Sequence, residues 1–202
     1  INAVKEFYEQ FNANIHRGLH DLSIKATELY DLSHETVKDF INANSPDEII
    51  FTKNATEALN LVAYSLDINK EDEIVLSIAE HHSNLVPWQL KTDNLKFLEL
   101  DNNYQITEEE IKSKITPRTK ILALQHASNV LGTVNNIKEI IKIAKDINPE
   151  IITVIDGAQS TPHLKIDVSD LNCDFFAFTG HKMLAPTGIG VLYGKIDSVS
   201  YT

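Results

Sequence analysis

The sequence is poor in several features on which whole classes of protein depend. Its 202 residues include one cysteine, Cys173, which excludes an internal disulfide and a metal site built from several cysteines. No apolar run approaches the length of a membrane span, and the first residues do not form a signal peptide. Lysine and arginine number 18 against 29 aspartates and glutamates, and the net charge of -11 disfavours nucleic acid and anionic membranes as partners. We expect a soluble protein of a reducing compartment, located in the cytoplasm.

The sequence does contain enough apolar residues for one substantial core. Apolar residues make up 43% of the chain, which favours a single large domain over residues 1–202. The chain begins at Ile1 rather than at a methionine and ends at Thr202 without an obvious final element. We therefore expect a fragment, truncated at both ends.

Apolar residues alternate along the chain between helical spacing and strand spacing. Helices are predicted near residues 4–11, 22–41, 54–66, 82–90, 107–115 and 137–147, and strands near 48–51, 74–79, 95–100, 121–127, 151–155, 175–178 and 189–193. Asp21 or Ser23 is expected to cap the second helix, and Asn136 with Glu139 the last one. Strands that alternate with helices predict a mostly parallel sheet covered by helices on both faces.

The last two predicted strands depart from this pattern. The segment between them is too short for a crossover helix, which needs about a dozen residues. We therefore expect these strands to be antiparallel neighbours, with Lys182 in their connection. The predicted fold is an α/β fold with a mixed sheet, in which one strand is reversed.

Polar residues follow several of the predicted strands. They are Thr52 to Thr56, Glu80 to Asn84, His126 to Asn129, Asp156 to Gln159, and Lys182. In an open α/β sheet, ligands bind outside the carboxyl ends of the strands, so these segments predict one shared site. The helix that begins near Asn54 adds free backbone N–H groups and a positive dipole end, which attract a phosphate.

The chemistry of these residues indicates one kind of ligand. A desolvated Lys182 amine is a nucleophile toward carbonyls, and Asp156, at the end of a buried strand, needs a cationic or donor partner. His81 offers a flat ring, and Thr56 contributes to the phosphate seat. Pyridoxal phosphate, an aromatic aldehyde with a phosphate and a basic ring nitrogen, satisfies all four residues.

Each of these residues also has a structural interpretation. A lysine in a loop is ordinarily solvated, Asp156 could form a turn before Gly157, and Thr56 could act only as a helix cap. His81 and His82 could be metal ligands, but adjacent residues seldom point at one ion. The joint occurrence of the residues, in order along the chain, favours the cofactor site, and we predict no metal.

Thr179-Gly180-His181-Lys182 resembles the SGHK element of class V aminotransferase-like, fold-type-I pyridoxal phosphate enzymes. Longer strings resemble the SufS/CsdA-like (group II) cysteine desulfurases. They are His16 to Gly18, Ala55 to Asn60, Glu80 to Gln89, Ser128 to Thr133, Asp156 to Gln159, and Cys173 to Gly194. The resemblance covers nearly the whole chain in order.

The resemblance implies a role for each residue around the ring of the cofactor. Lys182 would form the Schiff base and move a proton at the α-carbon of the substrate. His81 would stack on the ring and take part in acid–base steps. Asp156 would pair with the pyridine nitrogen, and Gln159 would bond the phenolic oxygen.

The resemblance also implies how the phosphate and the substrate are held. Thr56, Thr179 and His181 would bind the phosphate with help from the backbone of Ala55, and Asn129 would lie near the substrate carboxylate. Thr179 stands where serine is common but keeps the hydroxyl. Ala55 stands where threonine often occurs, which removes one possible phosphate donor. His16 and Arg17 would lie near the interface of a homodimer.

The implied function is that of a cysteine desulfurase, which takes sulfur from L-cysteine and gives L-alanine and an enzyme persulfide. A sulfur-acceptor protein would then carry the sulfur to iron–sulfur cluster assembly. In the family, a cysteine and an arginine of the carboxyl-terminal region act on the substrate, and this chain ends before that region. Cys173 precedes a buried strand and is expected to be inert, so we expect the fragment to be inactive in desulfuration.

Two other functions are compatible with the same residues. A selenocysteine lyase, or another class V pyridoxal phosphate lyase, would use the same cofactor site. Alternatively, the residues could form a non-catalytic scaffold that binds a partner.

Overall fold

Seven strands form a single sheet in a computed structural model that describes residues 2–196. Ile1 and residues 197–202, the two ends of the predicted domain, lie outside the described residues. The strands are β1 (Ile49–Thr52), β2 (Glu73–Ser77), β3 (Leu95–Leu98), β4 (Thr119–Gln125), β5 (Ile152–Asp156), β6 (Phe175–Thr179) and β7 (Gly190–Gly194). Their order across the sheet is β1-β7-β6-β5-β4-β2-β3.

Seven α-helices accompany this sheet in residues 2–196. They are α1 (Asn2–Glu6), α2 (Asp21–Ile41), α3 (Ala55–Ser65), α4 (His82–Lys91), α5 (Glu108–Lys114), α6 (Ile137–Ile147) and α7 (Val168–Leu171). A π-helical turn at Phe7–Phe11 and 3-10 turns at Pro46–Glu48 and Gly180–Lys182 complete the regular structure there. Within this part of the chain, none of the helices combines the length and the apolar character that a membrane crossing requires.

The direction of the strands confirms the predicted mixed sheet. β2, β3, β4, β5 and β6 pair in parallel, whereas β7 runs antiparallel to both β6 and β1. β7 is therefore the one reversed strand, and the short connection from β6 to β7 carries Lys182, as predicted.

The hydrophobic core is divided between the two faces of the sheet, because successive side chains of each strand point to opposite faces. Phe176 and Phe178 of β6 pack with residues of α5, α6 and α7, and Ala177 packs on the opposite face with residues of α3 and α4. Successive side chains of a strand point to opposite faces, so a strand covered on both sides must be apolar at every position. β6 meets this requirement from Phe175 to Phe178, and its last residue, the polar Thr179, is buried as well.

The helix caps agree with the prediction for α6 and correct it for α2. The Asn136 side chain accepts a hydrogen bond from the backbone N–H of Glu139, as expected. For α2, neither Asp21 nor Ser23 is the cap; the His20 ring accepts the backbone N–H of Ser23 at 3.3 Å. The observed cap lies one residue before Asp21 because Asp21 is already inside the helix. In the first turn its carboxylate is stabilised by the positive end of the helix dipole.

Some predicted boundaries are also wrong. The strands predicted at 74–79 and 95–100 each end two residues too late, the first also starts one residue too late, and the strand predicted at 121–127 lies two residues earlier, at Thr119–Gln125. Apolar character continues past the hydrogen-bonded ladder, as at the half-exposed Ile78, so the pattern alone does not mark where pairing stops. The four-residue helix α7 was not predicted, because one turn carries no periodicity.

Gly190 allows β7 to contact the start of α3. A methyl group added at Gly190 would lie 2.4 Å from the carbonyl carbon and 2.5 Å from the Cα of Asn54. We expect Gly190→Ala to lower the free energy of unfolding by about 1–3 kcal/mol, because the backbone of Asn54 must shift to make room. Urea denaturation of the variant and of Thr187→Ala, an exposed control in the same connection, measures this. Equal unfolding midpoints for the two variants would contradict the close approach.

Candidate active site

A cavity of about 190 Å³ lies where β4, β5 and β6 end and α3 begins. It is lined by all nine residues predicted for the site: Ala55, Thr56, His81, Asn129, Asp156, Gln159, Thr179, His181 and Lys182. Asn54, Ser83, Gln125, Ala127 and Ala158 complete the lining. The structure thus brings together segments that are up to 128 residues apart in sequence, from Asn54 to Lys182.

The topology of the sheet explains this convergence. Asp156 is the last residue of β5, Thr179 is the last residue of β6, and the chain turns at once into the cavity wall after each of them. Asn129 follows β4 in a loop that is closed by a bridge between Ala127 and Val134. Because these three strands are parallel, their carboxyl ends meet at one edge of the sheet.

Asp156 is the buried negative charge of the cavity. Its side chain is 6% exposed, and Oδ1 accepts the backbone N–H of Ala158 at 2.9 Å. Burial raises the pKa of Asp156, while the Ala158 N–H and the attraction of Lys182 and His81 act in the opposite direction. Among residues 2–196 the Ala158 bond is the only one that the carboxylate accepts, so Oδ2 is available to a donor in the cavity.

Lys182 lies in the connection between β6 and β7, at the end of the 3-10 turn Gly180–Lys182. It is half-buried, so its exposure lies between that of the solvated lysine and that of the desolvated lysine considered from the sequence. It lines the cavity together with Asp156 and attracts the carboxylate of that residue. An amine and a carboxylate therefore face one small volume.

The start of α3 makes part of the cavity lining suited to an anion. The Asn54 side chain accepts the Glu57 N–H at 2.8 Å, and Ala55 and Thr56 lie in the first turn of the helix. Thr179 Oγ1 and His181 Nδ1, which line the same cavity, lie 2.9 Å apart. Unpaired N–H groups and the helix dipole attract negative charge, and hydroxyl and imidazole groups can donate to it.

His81 is held at the start of α4 by its neighbour Ser83. The His81 ring caps the helix, because Nδ1 accepts the backbone N–H of Ser83 at 3.1 Å. Ser83 Oγ lies 3.0 Å from the same nitrogen and 2.7 Å from Thr56 Oγ1. Ser83 therefore connects the start of α4 to the start of α3.

Glu80 is a second carboxyl group behind the cavity. It is half-buried, and it accepts hydrogen bonds from Ser77 Oγ at 2.6 Å and from Asn84 Nδ2 at 2.7 Å. Burial raises the pKa of Glu80 to about 7, and the nearby charge of Asp156 adds to this effect. The two hydrogen bonds oppose the shift without overcoming it.

Sequence reasoning placed Ser83 and Glu80 in one of the segments of the shared site but gave them no role, and it missed Gln125. Ser83 and Glu80 also belong to the string around His81 that carried the resemblance. Gln125 ends β4 and donates from Nε2 to the carbonyl of Ala79 at 2.6 Å, which fixes the turn before His81. This contact joins the end of β4 to the turn after β2 and leaves no pattern in the sequence.

Three other singled-out residues lie outside the cavity lining. His16 and Arg17 are exposed in the loop before α2, where the His16 N–H donates to Thr27 Oγ1 at 2.9 Å. Cys173 is fully buried, and burial raises the pKa of its thiol to about 12. A buried thiol with so high a pKa is a poor nucleophile.

The set of residues in the cavity fits pyridoxal phosphate. Asp156 keeps Oδ2 for a protonated ring nitrogen, Lys182 provides an amine for the aldehyde, and the start of α3 provides a seat for the phosphate. The same residues do not form a metal site: within residues 2–196 no group of three or more histidine, cysteine, aspartate or glutamate side chains could hold an ion. The rings of His81 and His82 lie 6.2 Å apart and at 85° to each other.

Comparison with known proteins identifies relatives that agree with the resemblance found in the sequence. The model of the family described as "Aminotransferase class-V" matches residues 1–200. A "Probable cysteine desulfurase" of Halalkalibacterium halodurans is 48% identical over 202 residues, which cover 96% of this chain and 49% of the relative. The chain therefore spans about half the length of this relative.

Solved structures show the same fold over the same extent. The apo structure of a cysteine desulfurase from Thermococcus onnurineus NA1 is similar with a TM-score of 0.88 and 42% identity, covering 97% of this chain and 50% of that one. The cysteine desulfurase CsdA from Escherichia coli is similar with a TM-score of 0.86 and 35% identity, covering 98% and 51%. The predicted fold and the resemblance are both confirmed.

Glu80 makes the stability of the protein depend on pH. Because folding raises its pKa from 4.5 to about 7, its favourable contribution is complete below pH 4.5 and is lost as the pH rises through about 7. We expect Glu80→Gln to gain about 1–3 kcal/mol of unfolding free energy relative to wild type over that interval. Urea denaturation across the pH range measures the difference, with the exposed Glu150→Gln as control. Parallel stability curves for wild type and Glu80→Gln would show that Glu80 does not titrate in this interval.

Proposed function

The chain belongs to the class-V aminotransferase family, and on that basis we propose that it is the pyridoxal phosphate-binding large domain of a cysteine desulfurase. The observation that carries the proposal is that the Lys182 amine and the Asp156 carboxylate line one cavity together with the start of α3, which is suited to an anion. The cysteine desulfurases among the relatives support the assignment.

Pyridoxal phosphate supplies an aldehyde that condenses with amines and a protonated ring that accepts electrons. The Asp156 carboxylate would hold the proton on the ring nitrogen through Oδ2, which is available in the cavity. Lys182 would bind the aldehyde carbon through Nζ and move a proton at the α-carbon of the substrate. His81 would cover the ring and hold or release a proton, since Ser83 fixes its orientation.

The remaining residues of the cavity would orient the cofactor and the substrate. Thr56, Thr179 and His181 would donate to the phosphate, with the N–H of Ala55 as a backbone donor. Gln159 would donate its amide to the phenolic oxygen, and Asn129 would bind the carboxylate of the amino acid.

The substrate proposed for the whole protein is L-cysteine, and the products are L-alanine and a persulfide. Cys173 does not accept the sulfur, because it is fully buried and outside the cavity lining. We therefore propose that this chain alone is inactive in desulfuration. The whole protein would act as a homodimer in the cytoplasm and would pass sulfur to an acceptor protein of iron–sulfur cluster assembly.

The visible spectrum of the chain with pyridoxal phosphate tests the cofactor assignment. We expect wild type to take up pyridoxal phosphate and to become yellow, and Lys182→Ala to lose the absorbance of the covalently bound cofactor, because among residues 2–196 no other amine lines the cavity. Lys165→Ala, which removes an exposed lysine, is the matched control and is expected to behave as wild type.

Addition of L-cysteine to the protein loaded with pyridoxal phosphate then distinguishes an enzyme core from a non-catalytic scaffold. We expect the amino group of L-cysteine to displace Lys182 and to change the spectrum of the wild type. A chain that takes up no cofactor, or a spectrum that Lys182→Ala leaves unchanged, would contradict the proposed function.

A further inference from the structure

The hydroxyl groups of Thr56 and Ser83 meet in the cavity wall, where the first turns of α3 and α4 lie side by side. Their oxygens are 2.7 Å apart, and this distance allows either residue to be the donor. Among the hydrogen bonds of residues 2–196, it is the only one that Thr56 Oγ1 makes. The direction of this bond therefore decides where the proton of the Thr56 hydroxyl is available.

The ring of His81 determines that direction. The Ser83 hydroxyl has two nearby acceptors, Thr56 Oγ1 and His81 Nδ1, which lies 3.0 Å away. An accepting imidazole nitrogen has one lone pair, and the lone pair of Nδ1 is already engaged by the backbone N–H of Ser83, which caps α4. A hydroxyl oxygen has two lone pairs, and Thr56 Oγ1 has no other donor in residues 2–196. The Ser83 hydroxyl therefore donates to Thr56.

The Thr56 hydroxyl is then left with a proton that no group in the described part of the chain accepts. The backbone N–H groups of Ala55 and Thr56 are likewise without an acceptor in residues 2–196, because they belong to the first turn of α3. Both residues line the cavity. Three donors of one helical turn are thus available to an acceptor in the cavity, and an anion is the acceptor that they suit best.

We propose that Ser83 is a positioning residue of the cofactor site, whose hydroxyl donates to Thr56 Oγ1 and so directs the Thr56 proton to the phosphate. A hydroxyl that accepts one hydrogen bond is also a stronger donor in the next. Thr56 carries the only side-chain hydroxyl in the first turn of α3, since its neighbour is Ala55. The inference rests on the proposed function, because it requires that pyridoxal phosphate places its phosphate beside α3.

The affinities for pyridoxal phosphate and for pyridoxal, which lacks the phosphate, test this role by titration of the visible absorbance. In Ser83→Ala we expect the Kd of pyridoxal phosphate to rise about three- to tenfold, the usual effect of one hydrogen bond, and the Kd of pyridoxal to stay unchanged. Ser83→Thr restores a hydroxyl and is expected to restore the affinity. Ser113→Ala, which removes an exposed serine hydroxyl outside the cavity lining, is the matched control.

A double-mutant cycle with Thr56→Val shows whether Ser83 acts through Thr56. If it does, Ser83→Ala costs nothing further once the Thr56 hydroxyl is gone, and the double variant binds pyridoxal phosphate as Thr56→Val does. Additive losses in the double variant would mean that Ser83 contacts the cofactor independently, and would overturn the inference.

The remaining outcomes separate this inference from the proposed function. Equal affinity of wild type and Ser83→Ala for pyridoxal phosphate would refute the role of Ser83 and leave the cofactor site in place. Equal losses for both ligands in Ser83→Ala would show that Ser83 acts on the ring, through His81, and would also refute it. A wild type that binds neither ligand would refute the proposed function itself.

Discussion

Asp156 ends a strand that is covered on both faces, and burial makes a negative charge at that position costly unless a donor or a cation faces it. The backbone N–H of Ala158 donates one hydrogen bond to this carboxylate, which offsets only part of the cost of burial. Lys182 supplies a positive charge from the next connection of the sheet, and the reversed strand β7 brings that connection back over the cavity. Much of the arrangement of the site follows from the need to balance this one carboxylate.

The site is electrostatically polarised as a result. The cavity lining combines a carboxylate with the positive end of α3, two threonine hydroxyl groups and one imidazole. A ligand that carries a cationic nitrogen and a phosphate on a flat ring would match both kinds of group. Such a ligand relieves the cost of burying Asp156 and fills the unpaired N–H groups of the helix, so binding and folding favour the same arrangement.

The sequence allows the framework to be predicted because its signals are local. Each strand of the buried sheet carries a short apolar run, and each polar residue that follows such a run, as Asp156 and Thr179 do, is placed at the same edge by the parallel topology. The short connection that holds Lys182 cannot accommodate a crossover, which fixes the direction of β7. The nine predicted site residues therefore converge as expected.

What could not be predicted depends on contacts between distant segments. Burial, with a smaller contribution from the charge of Asp156, raises the pKa of Glu80 to about 7 against the hydrogen bonds from Ser77 and Asn84, and no pattern along the chain records that environment. Ser83 gains its position only because α3 and α4 start side by side. The predictions of the α2 cap and of the strand ends fail for a related reason, since pairing and packing, rather than apolar character, decide where an element starts and stops.

We propose that the Lys182 amine faces the aldehyde of pyridoxal phosphate while Asp156 holds the ring nitrogen. Borohydride reduction of the chain loaded with pyridoxal phosphate, followed by mass spectrometry of its peptides, identifies the lysine that carries the cofactor. We expect a single modified peptide that contains Lys182, and we expect Asp156→Ala to reduce its yield strongly because the ring nitrogen loses its partner. Modification spread over exposed lysines, with Lys182 unlabelled, would contradict this proposal.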